Sequence, residues 1–114
     1  MSVNPDDYLP LSAVAFEVLM ALTDESAHGY RILQLVEARS EGEIVLHPGT
    51  LYRTLARLLE QGLLEEVGPG AGAEDRKTEF RLTPLGRSVA QAEAHRLSRQ
   101  VARARASRLL KARG

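Results

Sequence analysis

The sequence predicts a mainly α-helical fold with one small β-hairpin, and three observations carry that prediction. Apolar residues recur at spacings of three and four in three short segments before residue 63. Two short strand-like runs then flank a stretch rich in Gly and Ala. Finally, Thr83-Pro84 opens a segment in which nothing breaks a helix up to residue 114. The 114 residues allow one domain of ordinary size, long enough to bury a core without staples. Apolar residues are 44% and charged residues 26%, which argues against wholesale disorder.

Met1–Tyr8 is polar and without period, so residues 1–8 are expected to form a flexible arm. From Leu11 to Leu22 the residues Leu11, Val14, Ala15, Val18, Leu19 and Leu22 follow helical spacing. Ser12 caps that start, and Thr23-Asp24-Glu25-Ser26 stops it. Ser26 is the expected cap of a second helix whose buried face is Gly29, Ile32, Leu33 and Val36, with Ser40-Glu41-Gly42 as its end. Ile44-Val45-Leu46 is expected to be an extended connector. Pro48-Gly49-Thr50 opens the third helix, with the proline in the first turn, where its missing N–H costs nothing. Gly62 closes it. Leu63–Val67 and Thr78–Leu82 pair as a hairpin, with Phe80 and Leu82 inward and Glu79 and Arg81 outward.

Three short helices, a hairpin and a long helix make a winged helix-turn-helix followed by a C-terminal helix. The second and third helices form the turn motif, and the hairpin is the wing. The expected division is an arm at 1–8, a DNA-binding domain at 9–83 and a dimerisation helix at 84–114.

The third helix carries the functional reading. At 100° per residue its leucines and Tyr52 share one half of the circumference. The other half presents Gly49, Thr50, Arg53, Ala56, Arg57 and Glu60. Leucines would seat such a helix while small, hydroxyl and guanidinium groups face a major groove, where Arg bonds guanine O6 and N7 bidentately. An ordinary amphipathic surface helix is the competing explanation for this helix alone. Arg76 and Lys77 at the base of the hairpin would lie beside a DNA backbone, although Glu74 and Asp75 precede them. Tyr30 suits either a phosphate contact or a core aromatic with a wet edge, His47 suits a phosphate contact, and His28 suits a cap or a packing position. His95 is expected to be exposed.

The final helix holds two stripes. Leu85, Val89 and Ala92 would dock on their own domain, and Ala90, Ala94, Leu97, Val101 and Ala104 follow a 4-3-4-3 seam suited to a second helix. Alanines bury little area, so a dimer would also need Phe16, Leu19 and Met20 of the first helix.

Net charge is zero but divided: residues 1–84 hold seven Lys/Arg against fourteen Asp/Glu, and residues 85–114 hold eight against Glu93 alone. Such a split suits a basic segment meeting nucleic acid or an acidic surface. No cysteine is present, which removes disulfides, thiol nucleophiles and zinc fingers. No apolar run approaches the ~18 residues of a membrane span, and Met1–Pro10 lacks signal-peptide regions. A soluble cytoplasmic protein is expected. No catalytic set, phosphate loop or metal-ligand spacing is recognisable, so neither an enzyme nor a cofactor is expected.

Several strings together resemble the PadR family of bacterial transcriptional regulators. They are Leu11-Ser12, His28-Gly29-Tyr30, Pro48-Gly49-Thr50-Leu51-Tyr52-Arg53, Leu58-Leu59-Glu60-Gln61-Gly62-Leu63 and Leu82-Thr83-Pro84-Leu85-Gly86. The resemblance covers about Leu9 to Val101, and the single final helix is similar to the small subfamily. It implies a homodimer in which the last helix packs on the partner, including the partner's first helix. It also implies binding of double-stranded DNA at a palindromic operator, and repression relieved by a small hydrophobic or aromatic effector. By position, it implies Pro48, Gly49, Thr50, Tyr52 and Arg53 at the DNA, Tyr30 near a phosphate, and Arg76 and Lys77 on the wing. The competing class is a winged helix used as a protein-interaction module, with the third helix buried against a partner.

Overall fold

The computed structural model describes residues 3–68 and 78–110. Four helices and a small antiparallel sheet follow in the order α1 (Ala13–Ala21), β1 (Ala27–His28), α2 (Gly29–Arg39), α3 (Pro48–Glu60), β2 (Leu64–Val67), β3 (Glu79–Leu82) and α4 (Pro84–Ala106). The core runs through all of them, with Val18, Leu19, Ile32, Val36, Leu51, Leu55, Leu58, Leu63 and Val89 buried together.

The N-terminal segment departs from expectation. Residues Pro5–Tyr8 form a single 3₁₀ turn capped by the Asn4 side chain, and this turn packs on α4. Tyr8, Leu9 and Leu11 lie against the core, and the Leu11 N–H donates to Glu93 Oε2 at 3.0 Å. The Pro5–Tyr8 turn is polar in sequence yet packs on α4, beside the Leu11 N–H that serves a buried carboxylate.

In α1, Ser12 Oγ accepts from the Ala15 N–H at 3.0 Å, and the helix ends at Ala21, one residue short of the expected Leu22. Ser26 does not cap α2. His28 does, its Nδ1 accepting from the Arg31 N–H at 3.2 Å, while Ser26 Oγ donates to Glu79 Oε1 at 2.8 Å. The displacement has a cause: Ala27 and His28 pair with Phe80 and Glu79 as a third strand, so the sheet order is β1-β3-β2. Two residues carry no period, and β1 was invisible in the sequence. Gly29, Ile32 and Val36 are buried as expected, and Leu33 is half-buried.

Ile44–Leu46 is an extended connector with no strand pairing. The hairpin register places Leu82 opposite Leu64 and Phe80 opposite Glu66; Phe80 is buried and Arg81 exposed. Glu79, expected outward, is half-buried because it accepts from Ser26. The tip of the wing, with Arg76 and Lys77, lies outside the described residues.

Helices α2, α3 and α4 each close with a paired hydrogen-bond motif and a left-handed residue. At α3, Leu63 N–H donates to the Leu58 carbonyl, Gly62 N–H donates to that of Leu59, and Gly62 has φ +76°. The same pattern sets Glu41 at φ 54° after α2 and Arg108 at φ 63° after α4. The last helix therefore stops at Ala106 instead of running on, although neither glycine nor proline marks the place. Thr83 caps its start by accepting from the Gly86 N–H at 2.9 Å and donates to the Gly62 carbonyl at 2.6 Å.

Candidate nucleic-acid interface

The third helix is amphipathic in a strict geometric sense. Leu51, Leu55 and Leu58 are buried to within 1% of complete, each contributing roughly 1.5–3 kcal/mol relative to exposure. They fix which side of α3 faces out. That outer side carries Gly49, Tyr52, Arg53, Ala56, Arg57 and Glu60, all exposed, with Thr50 half-buried at its edge. Arg53 Nη2 donates to Thr50 Oγ1 at 3.4 Å, and Thr54 Oγ1 donates to the Thr50 carbonyl at 2.9 Å. Among the described residues no carboxylate pairs with Arg53 or Arg57. Two guanidiniums one turn apart are thus presented to solvent without a carboxylate partner among the described residues.

At the start of α3, Pro48 occupies the first turn and His47 stands at the cap without a side-chain hydrogen bond. The first backbone N–H groups are therefore unclaimed by any cap and suit an anionic oxygen.

Tyr52 does not belong with the leucines. It is 54% exposed and leans over the start of α2, where a Cβ at Gly29 would overlap its hydroxyl. A side chain at 29 would push that ring aside. Tyr30, 62% exposed, lies beside it, and His28, Gly29, Tyr52 and Phe80 line a shallow cleft of about 310 Å³. Two exposed arginines elsewhere are paired, Arg81 with Glu65 at 2.8 Å and Arg31 with Glu25 at 3.5 Å.

The seam residues of α4 divide. Ala90, Leu97 and Ala104 are half-buried, Ala94 is exposed and Val101 is 41% exposed. Of the first-helix residues assigned to a dimer, Phe16 and Met20 are half-buried on α1, but Leu19 is fully buried in the protomer's own core. Leu19 has no surface to offer a partner, because it falls one turn from Ala15 on the inner face of α1. His95 is exposed.

Glu93 was missed as a site residue. It is 1% exposed, accepts from Leu11 N–H and is gripped through both oxygens by Arg96 Nε and Nη2, the latter at 3.1 Å. The Arg96 hydrogen bond holds the Glu93 carboxyl below the usual glutamate range, against the opposing effect of burial. The signal available in sequence was its isolation as the single acid among the last thirty residues.

The profile of the "Transcriptional regulator PadR-like family" matches residues 18–92, from α1 through most of α4. The chain belongs to the PadR-like family. An uncharacterised 37.1 kDa protein in transposon TN4556 of Streptomyces fradiae is 42% identical over 85 residues, which is 72% of this chain and 22% of that protein. The chain thus spans about a fifth of that relative's length. Among solved structures, a transcriptional regulator from Clostridium thermocellum superposes with a TM-score of 0.72 at 22% identity, covering 89% of this chain and 99% of that one. Bacillus subtilis PadR, in complex with operator DNA, superposes with a TM-score of 0.63 at 17% identity, over 71% of this chain and 47% of that one. The PadR fold, a winged helix-turn-helix with a long C-terminal helix, is therefore the fold of this protein, and PadR proteins are transcriptional regulators. Among the described residues no helix is long and apolar enough to cross a membrane.

Proposed function

We propose that the protein is a dimeric winged-helix repressor of a palindromic operator. The observation that carries this reading is the outer face of α3, where Arg53 and Arg57 stand exposed and unpaired beside Thr50 while leucines seat the opposite side. The solved relative bound to operator DNA adds support. Residues 9–83 form the DNA-binding domain in this reading, and α4 is the dimerisation helix. Two copies of α3 enter successive major grooves about 34 Å apart. Thr50, Arg53 and Arg57 read or frame bases; His47, Pro48 and Gly49 bring the helix start to a phosphate; Tyr30 and Tyr52 flank it. Arg76 and Lys77 hold the backbone from the wing. The partner helix packs along Ala90, Ala94, Leu97, Val101 and Ala104, with Phe16 and Met20 completing the contact, and an effector relieves repression.

Selection of genomic DNA fragments by the purified protein at physiological salt tests this, with Arg53→Ala as the control. A short inverted repeat enriched by the wild type and lost by the variant is the expected result. Binding confined to low salt, with no sequence enriched, overturns the repressor reading and leaves the protein-interaction module.

A further inference from the structure

Beyond Leu97 the last helix is bare: from Ser98 to Leu110 every residue is exposed except Ala104, which is half-buried. That stretch holds Arg99, Arg103, Arg105 and Arg108 and no acid. Among the described residues none of the four has a carboxylate partner. Arg105 follows the seam residue Val101 by four positions and shares its side, and Arg108 stands just past the helix end. The other end of the chain has the opposite character. Residues 1–30 contain Asp6, Asp7, Glu17, Asp24 and Glu25 but neither Lys nor Arg. On α1 the half-buried Phe16 and Met20 are bordered by Glu17, with Asp24 shortly after the helix end. Neither of these two acids has an ion-pair partner among the described residues. Hydrogen bonds from the Leu11 N–H to Glu93, and from Arg87 to the Thr23 carbonyl at 3.0 Å, pin both ends of α1 along the first half of α4. The molecule thus presents an apolar patch edged with acid beside the start of α4, and an apolar stripe edged with base at its far end. A two-fold axis brings each onto the other twice, as an isologous contact requires. DNA would answer the arginines alone; a second copy answers the arginines, the acids and both apolar patches.

We propose that in the dimer Arg105 and Arg108 of one copy pair with the partner's Glu17 and the partner's Asp24, so that assembly is held by charge and loosened by salt. The pairing rests on the dimer of the function proposed above and fixes its direction. The two final helices run antiparallel, each with its far end over the other copy's α1. An exposed ion pair contributes little alone, but the symmetry doubles each one and the two pairs act together.

Sedimentation equilibrium of the DNA-free protein, with fluorescence detection from nanomolar concentration upward, tests the pairing. Raising salt from about 50 to about 500 mM is expected to raise the dimer dissociation constant about tenfold. Arg105→Glu/Arg108→Glu sets acid against acid, and Glu17→Lys/Asp24→Lys sets base against base. Each is expected to weaken its homodimer by about tenfold or more. An equimolar mixture of the two is expected to regain wild-type dimer, because both contacts of the mixed pair again join opposite charges. Glu37→Lys/Glu43→Lys adds the same net charge at the exposed end of α2, and is expected not to rescue Arg105→Glu/Arg108→Glu. Circular dichroism and Tm establish that each variant is folded, and the salt series needs no variant. Rescue by the α2 control overturns the proposal, and so does a mixture no more dimeric than its components. If Arg105→Glu/Arg108→Glu stays dimeric but loses affinity for random DNA, the arginines serve DNA and the proposal falls. A dimer indifferent to salt overturns the pairing alone, whereas a monomer at every salt concentration overturns the dimer of the proposed function as well.

Discussion

Glu93 shows how one side chain ties the N-terminal segment to α4. Its carboxylate takes the Leu11 N–H from the N-terminal segment and both donors of Arg96 from α4 itself. Its pKa is lowered in the folded state, so its contribution to stability is present above the unfolded value of about 4.3 and is lost as pH falls through the folded value. Glu93→Gln is therefore expected to lower Tm by several degrees at neutral pH. The gap to wild type should narrow steadily below about pH 4.3, and a gap independent of pH would show that charge is not what matters. A second residue-scale expectation concerns Arg53. Arg53→Ala should cost about 1–3 kcal/mol on the selected operator and little on random DNA, as measured by anisotropy at fixed salt. An equal loss on both would make Arg53 a phosphate contact. Both arginines were legible as outward-facing from the leucine spacing. Glu93 was not, because sequence reports its charge and not the backbone N–H that comes from residue 11.

At the scale of elements, the joints explain more than the helices do. The junction between β3 and α4 is built on Thr83, which serves both Gly62 and Gly86, and on Gly86 itself. A Cβ at 86 would run into the backbone carbonyl of Leu63, which no rotamer change relieves. Gly86→Ala is expected to destabilise by about 1–3 kcal/mol in urea unfolding, through overpacking at an unyielding backbone. Gly62→Ala meets open space but a left-handed φ of +76°, so roughly 1–2 kcal/mol is expected there from conformation alone. If Gly86→Ala proved no more costly than Gly62→Ala, crowding at the Leu63 carbonyl would be weaker than the geometry implies. The end of α4 makes the complementary point. Its left-handed residue is Arg108, so the stop was illegible to any rule that looks for glycine.

For the whole molecule, the question is how the long helix is used. Gly86, Val89 and Glu93 bury one side of α4 against its own domain, and beyond them Val101 is left 41% exposed. In the proposed dimer that distal half is covered by a second copy. Val101→Glu is expected to shift the protein toward monomer in sedimentation equilibrium and to weaken operator binding, because half-site binding loses the second helix's contribution. A variant that stays dimeric would place the interface elsewhere. DNA binding should also fall steeply between about 50 and 200 mM salt, as phosphate contacts demand.

The sequence by itself determined where each helix begins to within a few residues, the two hairpin strands with Phe80 inward, the proline-led start of α3 and the capped start of α4. Each rests on neighbours a few residues apart, where spacing, caps and turn residues act locally. It also determined which half of α3 faces outward, since the leucine period admits one burial. Tertiary structure alone decided that Ser26 serves Glu79 and leaves the cap of α2 to His28, that Leu19 is core and not surface, and that the N-terminal segment is held to α4. Ser26 meets Glu79 across 53 residues and Leu11 meets Glu93 across 82. Burial and hydrogen-bond satisfaction settle such pairings only when the whole chain has closed on itself.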